Sequence, residues 1–307
     1  MRRIAVVLLV LSTLALSAVP AMALTPVRVI VGRGDQYWAS SNGTYLAWTS
    51  HVNNTSNAYV RRLPGGTPRR VSAAGTRGEQ PSFVGTTSSL VYDQWTRTRQ
   101  GDIYFYNVST GRRTKAPAAV NKAKTFEWAP KASANYLLFM RHRWSPSGRL
   151  LGQWLLFYDR HTLATRILET GVTRYFRPEF AGNTYVAWVA CGAIGCRTHY
   201  WSEAGGERVQ PAAPYTDQMS ATIDEATSQI YYGQTRTAGC GRHTTIRRAT
   251  LGSSSSIVLV PLPRGIAVGG PSLAPNLTTG QQDLFFDRYS CRSQTSDIYA
   301  LRGVDTV

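Results

Sequence analysis

Four carboxylates recur at comparable intervals along the chain: Glu79, Glu127, Glu179 and Asp217. Each falls near the start of a short strand candidate in successive repeat units, so side chains from four units could meet on one axis. Carboxyls gathered there could serve as general acid and base on a glycan or a lactone. That is the enzyme reading of the sequence, and nothing local completes it. None of the five histidines (His51, His142, His161, His199, His243) sits in H-E-x-x-H, no G-x-S-x-G occurs, and no acidic run has calcium-loop spacing. No catalytic residue is assigned, and neither a cofactor nor a metal site is expected.

Anion recognition is the second chemistry on offer. Arg97, Arg99, Arg141, His142, Arg143, Arg236, Arg242 and Arg288 fall in or beside the segments joining the second to the third strand candidate of their units, with Trp144 among them. Guanidinium groups give planar, multidentate donors to phosphate and carboxylate. For an exported chain the polyanions within reach are teichoic or teichuronic wall polymers and acidic glycans; nucleic acid is not the expected partner. Arg61, Arg62, Arg69, Arg70, Arg112, Arg113 and Arg166 belong to the opposite end of their units, so the charge is not focused on one face.

The four cysteines suit an oxidising compartment and allow three pairings. Cys191 and Cys196 bracket a hairpin loop. Cys240 and Cys291 occupy the same loop in neighbouring units. The pairing 191–196 with 240–291 is favoured. A four-thiolate zinc site is the alternative, against which stand the C-x4-C spacing and the export signal.

These residues must be positioned by a repeat of about 47 residues. Apolar triplets recur at Leu46-Ala47-Trp48, Leu90-Val91-Tyr92, Leu137-Leu138-Phe139, Val186-Ala187-Trp188, Ile230-Tyr231-Tyr232 and Leu284-Phe285-Phe286. A turn and a further short strand, often with Pro, precede each triplet, as in Gln80-Pro81-Ser82-Phe83. A third strand follows, as in Asp102-Ile103-Tyr104-Phe105, then a Gly turn and a fourth strand. No long segment keeps a helical period. Six units of four antiparallel strands describe an all-β, six-bladed β-propeller. The last unit lacks a clear fourth strand, and Val27 to Val31 offers an orphan one that predicts closure of the ring by the N-terminal strand.

The repeat resembles that of TolB-like propellers, a family with WD-repeat-like blades. Gln80-Pro81-Ser82, Leu90-Val91-Tyr92, Asp102-Ile103-Tyr104 and Ser109-Thr110-Gly111 carry the resemblance, and Gly270-Pro271-Ser272, Leu284-Phe285-Phe286 and Asp297-Ile298-Tyr299 repeat it. The likeness covers nearly the whole chain after its leader, although no unit keeps the family's Asp-Gly turn. It implies a platform for binding, and fold alone does not supply a ligand.

Composition fixes the compartment. Arg2-Arg3, the uncharged apolar run Ile4 to Val19 and Ala21-Met22-Ala23 read as a secretory signal cut after Ala23, leaving 24–307 as one domain. The 307 residues carry a net charge of +17, which falls to +15 when Arg2 and Arg3 leave. Of the 34 basic residues only four are Lys, a bias that fits a GC-rich bacterial genome. The sequence thus predicts a secreted or envelope-located, non-catalytic monomer that binds a protein or an anionic envelope polymer. The alternatives are a propeller enzyme acting on a glycan or lactone and a purely structural scaffold.

Overall fold

The computed structural model describes residues 24–30, 32–96, 100–193, 195–213, 216–235 and 244–306. The signal-like leader, Arg97, Arg99, Arg236, Cys240, Arg242 and His243 lie outside the described residues.

The apolar triplets explain the architecture. Within a strand, successive side chains point to opposite faces. A continuous apolar run therefore demands a sheet buried on both faces. Leu137 and Phe139 pack toward blade 2 with Val91 and Ile103, whereas Leu138 and Met140 pack toward blade 4 with Val186 and Trp188. The same division repeats around the ring, giving six apolar clusters, one at each blade–blade interface. Each of the six sheets has four antiparallel strands. The described residues contain no α-helix, only a 3-10 turn at Val304–Thr306.

The first strand of each blade lies nearest the axis: Asp35–Ser41, Arg77–Phe83, Phe126–Ala132, Phe176–Ala181, Asp217–Asp224 and Ile266–Pro275. Every one is broken by a bulge where two residues oppose one on the second strand. At the bulge Trp38, Gln80, Ala129, Ser220 and Gly270 adopt positive φ between 51° and 59°. Blade 4 has Pro178 at this place, and proline cannot take positive φ.

The N-terminal strand closes the ring. Val27–Ile30 pairs antiparallel with the third strand of blade 6, Val27 opposite Ala300 and Ile30 opposite Ile298. Arg28 is ion-paired with Asp297 across this seam. Arg61 of blade 1 donates to the Val29 carbonyl at 2.9 Å. Blade 6 thus obtains its outermost strand from the start of the chain, as its missing fourth strand predicts.

Cys191 and Cys196 stand opposite each other in the hairpin of blade 4 and are disulfide-bonded. Cys291 is disulfide-bonded as well, and its expected partner, Cys240, lies outside the described residues.

Candidate functional site

Each blade's inner strand starts at what is here called the upper end of the ring, where the loops joining second to third strands also lie. Two layers of inner-strand residues surround the axis. Tyr37, Glu79, Trp128, Arg177, Met219 and Gly269 are register-equivalent in the upper layer, each followed by the bulge.

The four acids singled out in the sequence separate. Glu79 belongs to the upper axial layer, and burial raises its carboxyl above the usual range. Glu179 is the extra residue of the blade 4 bulge and accepts from Arg177 Nε at 2.9 Å and from its terminal N–H at 2.8 Å. Glu127 and Asp217 do not join them. Glu127 is fully buried between blades, accepting from Arg141 Nε at 2.7 Å and Thr125 Oγ1 at 2.5 Å. Asp217 accepts the Cys196 amide at 2.7 Å and so holds the disulfide hairpin. For Glu127 the physical reason is parity, whereas Asp217 lies two residues before the axial position held by Met219. Glu127 stands one residue before the axial position that Glu79 fills, and a one-residue step turns a strand side chain to the other face.

Two acids of the second strands come close to the axis instead. Asp93 accepts the Glu79 amide at 3.0 Å and the Ala129 amide at 3.1 Å. Asp287 accepts the Trp38 amide at 3.2 Å. Burial pushes the Asp287 carboxyl up to about 6, and it holds Asp93 well above the ordinary range, with neighbouring Glu79 adding to the effect. Both carboxyls are committed to backbone amides, which is a structural task.

At the upper end of blades 2 and 3 aromatic rings gather. Trp95, Phe126 and Trp144 line an open groove of about 350 Å3. Trp95 and Phe126 meet edge-on at 5.9 Å, and Trp128 donates its indole N–H to His142 Nε2 at 3.2 Å. Gly101 permits this crowding, since a methyl there would stand 2.8 Å from the Phe126 ring. Arg77 lies over Trp95 at 4.9 Å. Beside it, between the outer parts of blades 2 and 3, a second cavity of about 460 Å3 has Trp154 and Ile167 on its wall with Lys122 and Arg143 at its edge.

The expected anion-binding residues divide accordingly. Trp144 and Arg143 are exposed at this end. His142 is half-buried within the aromatic cluster, and burial lowers its imidazole to about 4, so it is neutral at physiological pH. Arg141 is buried and spends its guanidinium on Glu127 and on the carbonyls of Ala119 and Val120 at 3.2 and 2.6 Å. Arg288 stacks on Tyr299 at 5.2 Å.

Glu169, His199 and Glu207 bring ligand-type atoms within 4.8 Å of one another. Protein partners already occupy them. Glu169 accepts from Trp188 at 3.2 Å and Arg174 at 3.0 Å, and His199 Nδ1 meets Glu207 at 3.0 Å.

No protein-family model matches the chain. No curated protein matches it either. Solved structures do. TolB of Acinetobacter baumannii superposes with a TM-score of 0.56 at 14% identity, over 85% of this chain and 64% of that one. A TolB structure from Agrobacterium tumefaciens gives 0.55 at 8% identity, over 87% and 89% of the two chains. The fold is that of TolB-type propellers. The propeller domain of the Trilobed protease from Pyrococcus furiosus matches at 0.52 and 7% identity, over 88% and 79%. At such identities the shared property is the fold.

Within this TolB-type propeller, sequence reasoning passed over the stacking role of arginine. Among the described residues eight arginines lie 4.9 to 5.7 Å from an aromatic ring centroid, among them Arg69 and Arg113 on Tyr106 and Arg166 on Trp201. The signal was present in the scarcity of Lys beside abundant Tyr and Trp, although codon usage explains that bias equally well at the level of sequence. No helix of the described residues is long and apolar enough to cross a membrane.

Proposed function

We propose that residues 24–307, released after Ala23, act outside the cytoplasm as a non-catalytic binding platform. The ligand is an anionic glycan-type envelope polymer laid across the upper end of blades 2 and 3. The observation carrying this reading is the pairing of open aromatic surface with cations: Trp95, Phe126 and Trp144 on one side, Arg143 and Lys122 beside Trp154 on the other. Ring faces offer apolar area to sugar C–H groups, and the cations meet carboxylate or phosphate. The disulfide-bonded cysteines support the oxidising compartment. The engagement of Asp93, Asp287 and Glu179 with protein groups favours a platform over channel chemistry.

Titration of the mature protein with a teichuronic-type polyuronate at 50 mM and 500 mM salt tests it. Binding weakens at least tenfold at high salt and again in Trp144→Ala and Arg143→Ala. Affinity that ignores both salt and Trp144 refutes the reading.

A further inference from the structure

We propose that the lower end of the central channel is a binding site for a small carboxylic acid that carries a hydroxyl or ammonium group close to its carboxylate. The polymer face lies at the opposite end of the ring, so this inference stands independently of it.

Six register-equivalent residues, one from each blade, form the lower axial layer: Ser40, Ser82, Lys131, Phe180, Thr222 and Ser272. They pair with Ala47, Val91, Leu138, Ala187, Tyr231 and Phe285 of the second strands. All six line one cavity of about 180 Å3, whose rim is formed by turn residues such as Asn42 and Thr86. Three serines, a threonine, a lysine and a phenylalanine therefore line a common space, with Phe180 also packed against the apolar cluster between blades 4 and 5. Ser40 Oγ accepts the Phe83 amide at 3.0 Å, which leaves its own proton free to donate inward.

At this cavity the Lys131 amine and one oxygen of the Arg177-paired Glu179 carboxylate have no described hydrogen-bond partner. No described residue forms a hydrogen bond or an ion pair with the Lys131 amine. Glu179, which lines the same cavity and is 6% exposed, gives Oε1 to both Arg177 contacts, and its Oε2 meets no described donor. Lys131 and Glu179 are not ion-paired with each other. Enclosure lowers the lysine below its usual value, while the Glu179 carboxylate works in the opposite direction.

A half-buried ammonium and a carboxylate oxygen left over from the Arg177 pair, lining one partly open cavity, offer complementary contacts to a polar molecule that enters it. The chemistry of the wall selects what that is. A bare polyanion satisfies Lys131 and is repelled by Glu179. A simple cation has the reverse fault. An acid whose carboxylate meets Lys131 and whose neighbouring O–H or N–H donates to Glu179 Oε2 satisfies both, and the four hydroxyls can donate or accept around it.

Calorimetric titration of the full mature chain with glycerate, serine, acetate and inorganic phosphate tests the proposal. Glycerate or serine saturates the protein and binds at least tenfold more tightly than acetate or phosphate. Which of the two binds identifies the donor as hydroxyl or ammonium. Lys131→Met and Glu179→Gln each lose at least tenfold in affinity. Because either variant could disturb the inner strands, amine labelling of the unaltered protein gives a second readout. The bound acid protects Lys131 and leaves the labelling of Lys115, Lys122 and Lys124 unchanged. Absence of saturable binding by all four compounds, or undiminished labelling of Lys131 at saturating acid, overturns the proposal and leaves the cavity to solvent. Acetate binding as tightly as glycerate overturns the assigned part of Glu179.

Discussion

Asp287, on the second strand of blade 6, accepts the backbone amide of Trp38 on the inner strand of blade 1 at 3.2 Å. The same relation recurs twice. Thr49 of blade 1 accepts the Gln80 amide of blade 2 at 2.9 Å, and Asp93 of blade 2 accepts the Ala129 amide of blade 3 at 3.1 Å. Each donating residue, Trp38, Gln80 and Ala129, has positive φ at the bulge. The bulge takes the amide out of its own ladder, and the neighbouring blade satisfies it. Met140, Val189 and Gly233 hold the equivalent place in the other half of the ring. Opposite Met140, blade 4 presents Pro178, which has no N–H to satisfy.

A buried amide left without an acceptor costs about 1–3 kcal/mol. Thr49→Val and Asp93→Ala are therefore each expected to lose stability in that range in urea unfolding. Asp93→Asn, which keeps an acceptor, loses less, and Met140→Leu is close to neutral. Equal losses at positions 49, 93 and 140 would remove the amide-bonding explanation.

The pH dependence of stability has contributions of both signs, with the raised carboxyls of Asp93, Glu79 and Glu127 acting in the same direction as Asp287. Asp287 is held up to about 6, above an unfolded aspartate. The folded chain takes that proton first, so stability rises as pH falls through 6 toward 4. His142 is held down to about 4, below an unfolded histidine. There the unfolded chain takes the proton first, and stability is lost as pH falls from about 6.5 toward 4. Between pH 7.5 and 5 the two contributions amount to about +1 and about −2 kcal/mol. Asp287→Asn should thus make the protein more acid-labile than the parent, and His142→Gln less so. Melting curves at the two pH values decide, and superimposable profiles for all three proteins would contradict both assignments.

Removal of residues 24–32 takes away the strand that pairs with blade 6 and the Arg28–Asp297 ion pair. It also bares the third strand of blade 6 as a free edge. Cooperative thermal unfolding should disappear, and a melting transition identical to that of the mature chain would show that the seam does not hold the ring.

Peptide mapping without reductant should recover Cys291 joined to Cys240. Such a bond closes a loop of about 50 residues and stabilises by a few kcal/mol in the chain-entropy model. Cys291→Ser is then expected to lower the melting midpoint measurably, and more than Cys196→Ser, whose loop is far shorter.

The blades were legible in the sequence because a strand buried on both faces leaves an uninterrupted apolar triplet. Leu137, Leu138 and Phe139 show this directly by dividing between the two neighbouring blades. The closing strand was legible because one unit lacked its fourth member. The axial site was harder to read. Glu79 and Glu127 look alike in the repeat but differ by one residue in register, so they end on opposite sides of their strands. The lower layer escaped notice because serine, lysine, phenylalanine and threonine share no chemical type at the position that makes them neighbours. The interblade acceptors were hidden similarly, since Thr49 and Asp93 perform one task with different groups. Asp93 and Asp287 match in position, which the triplet register alone could reveal.

Among the described residues, the guanidinium groups resting on aromatic rings, that of buried Arg141 included, make the arginine content of this chain less exchangeable than its net charge suggests. Recoding arginine as lysine throughout would preserve every positive charge, and with it solubility and electrophoretic behaviour. It would replace flat, weakly hydrated plates by compact, strongly hydrated points that cannot stack flat on a ring. A protein altered in that way would look unchanged by charge and be loosened at its rim.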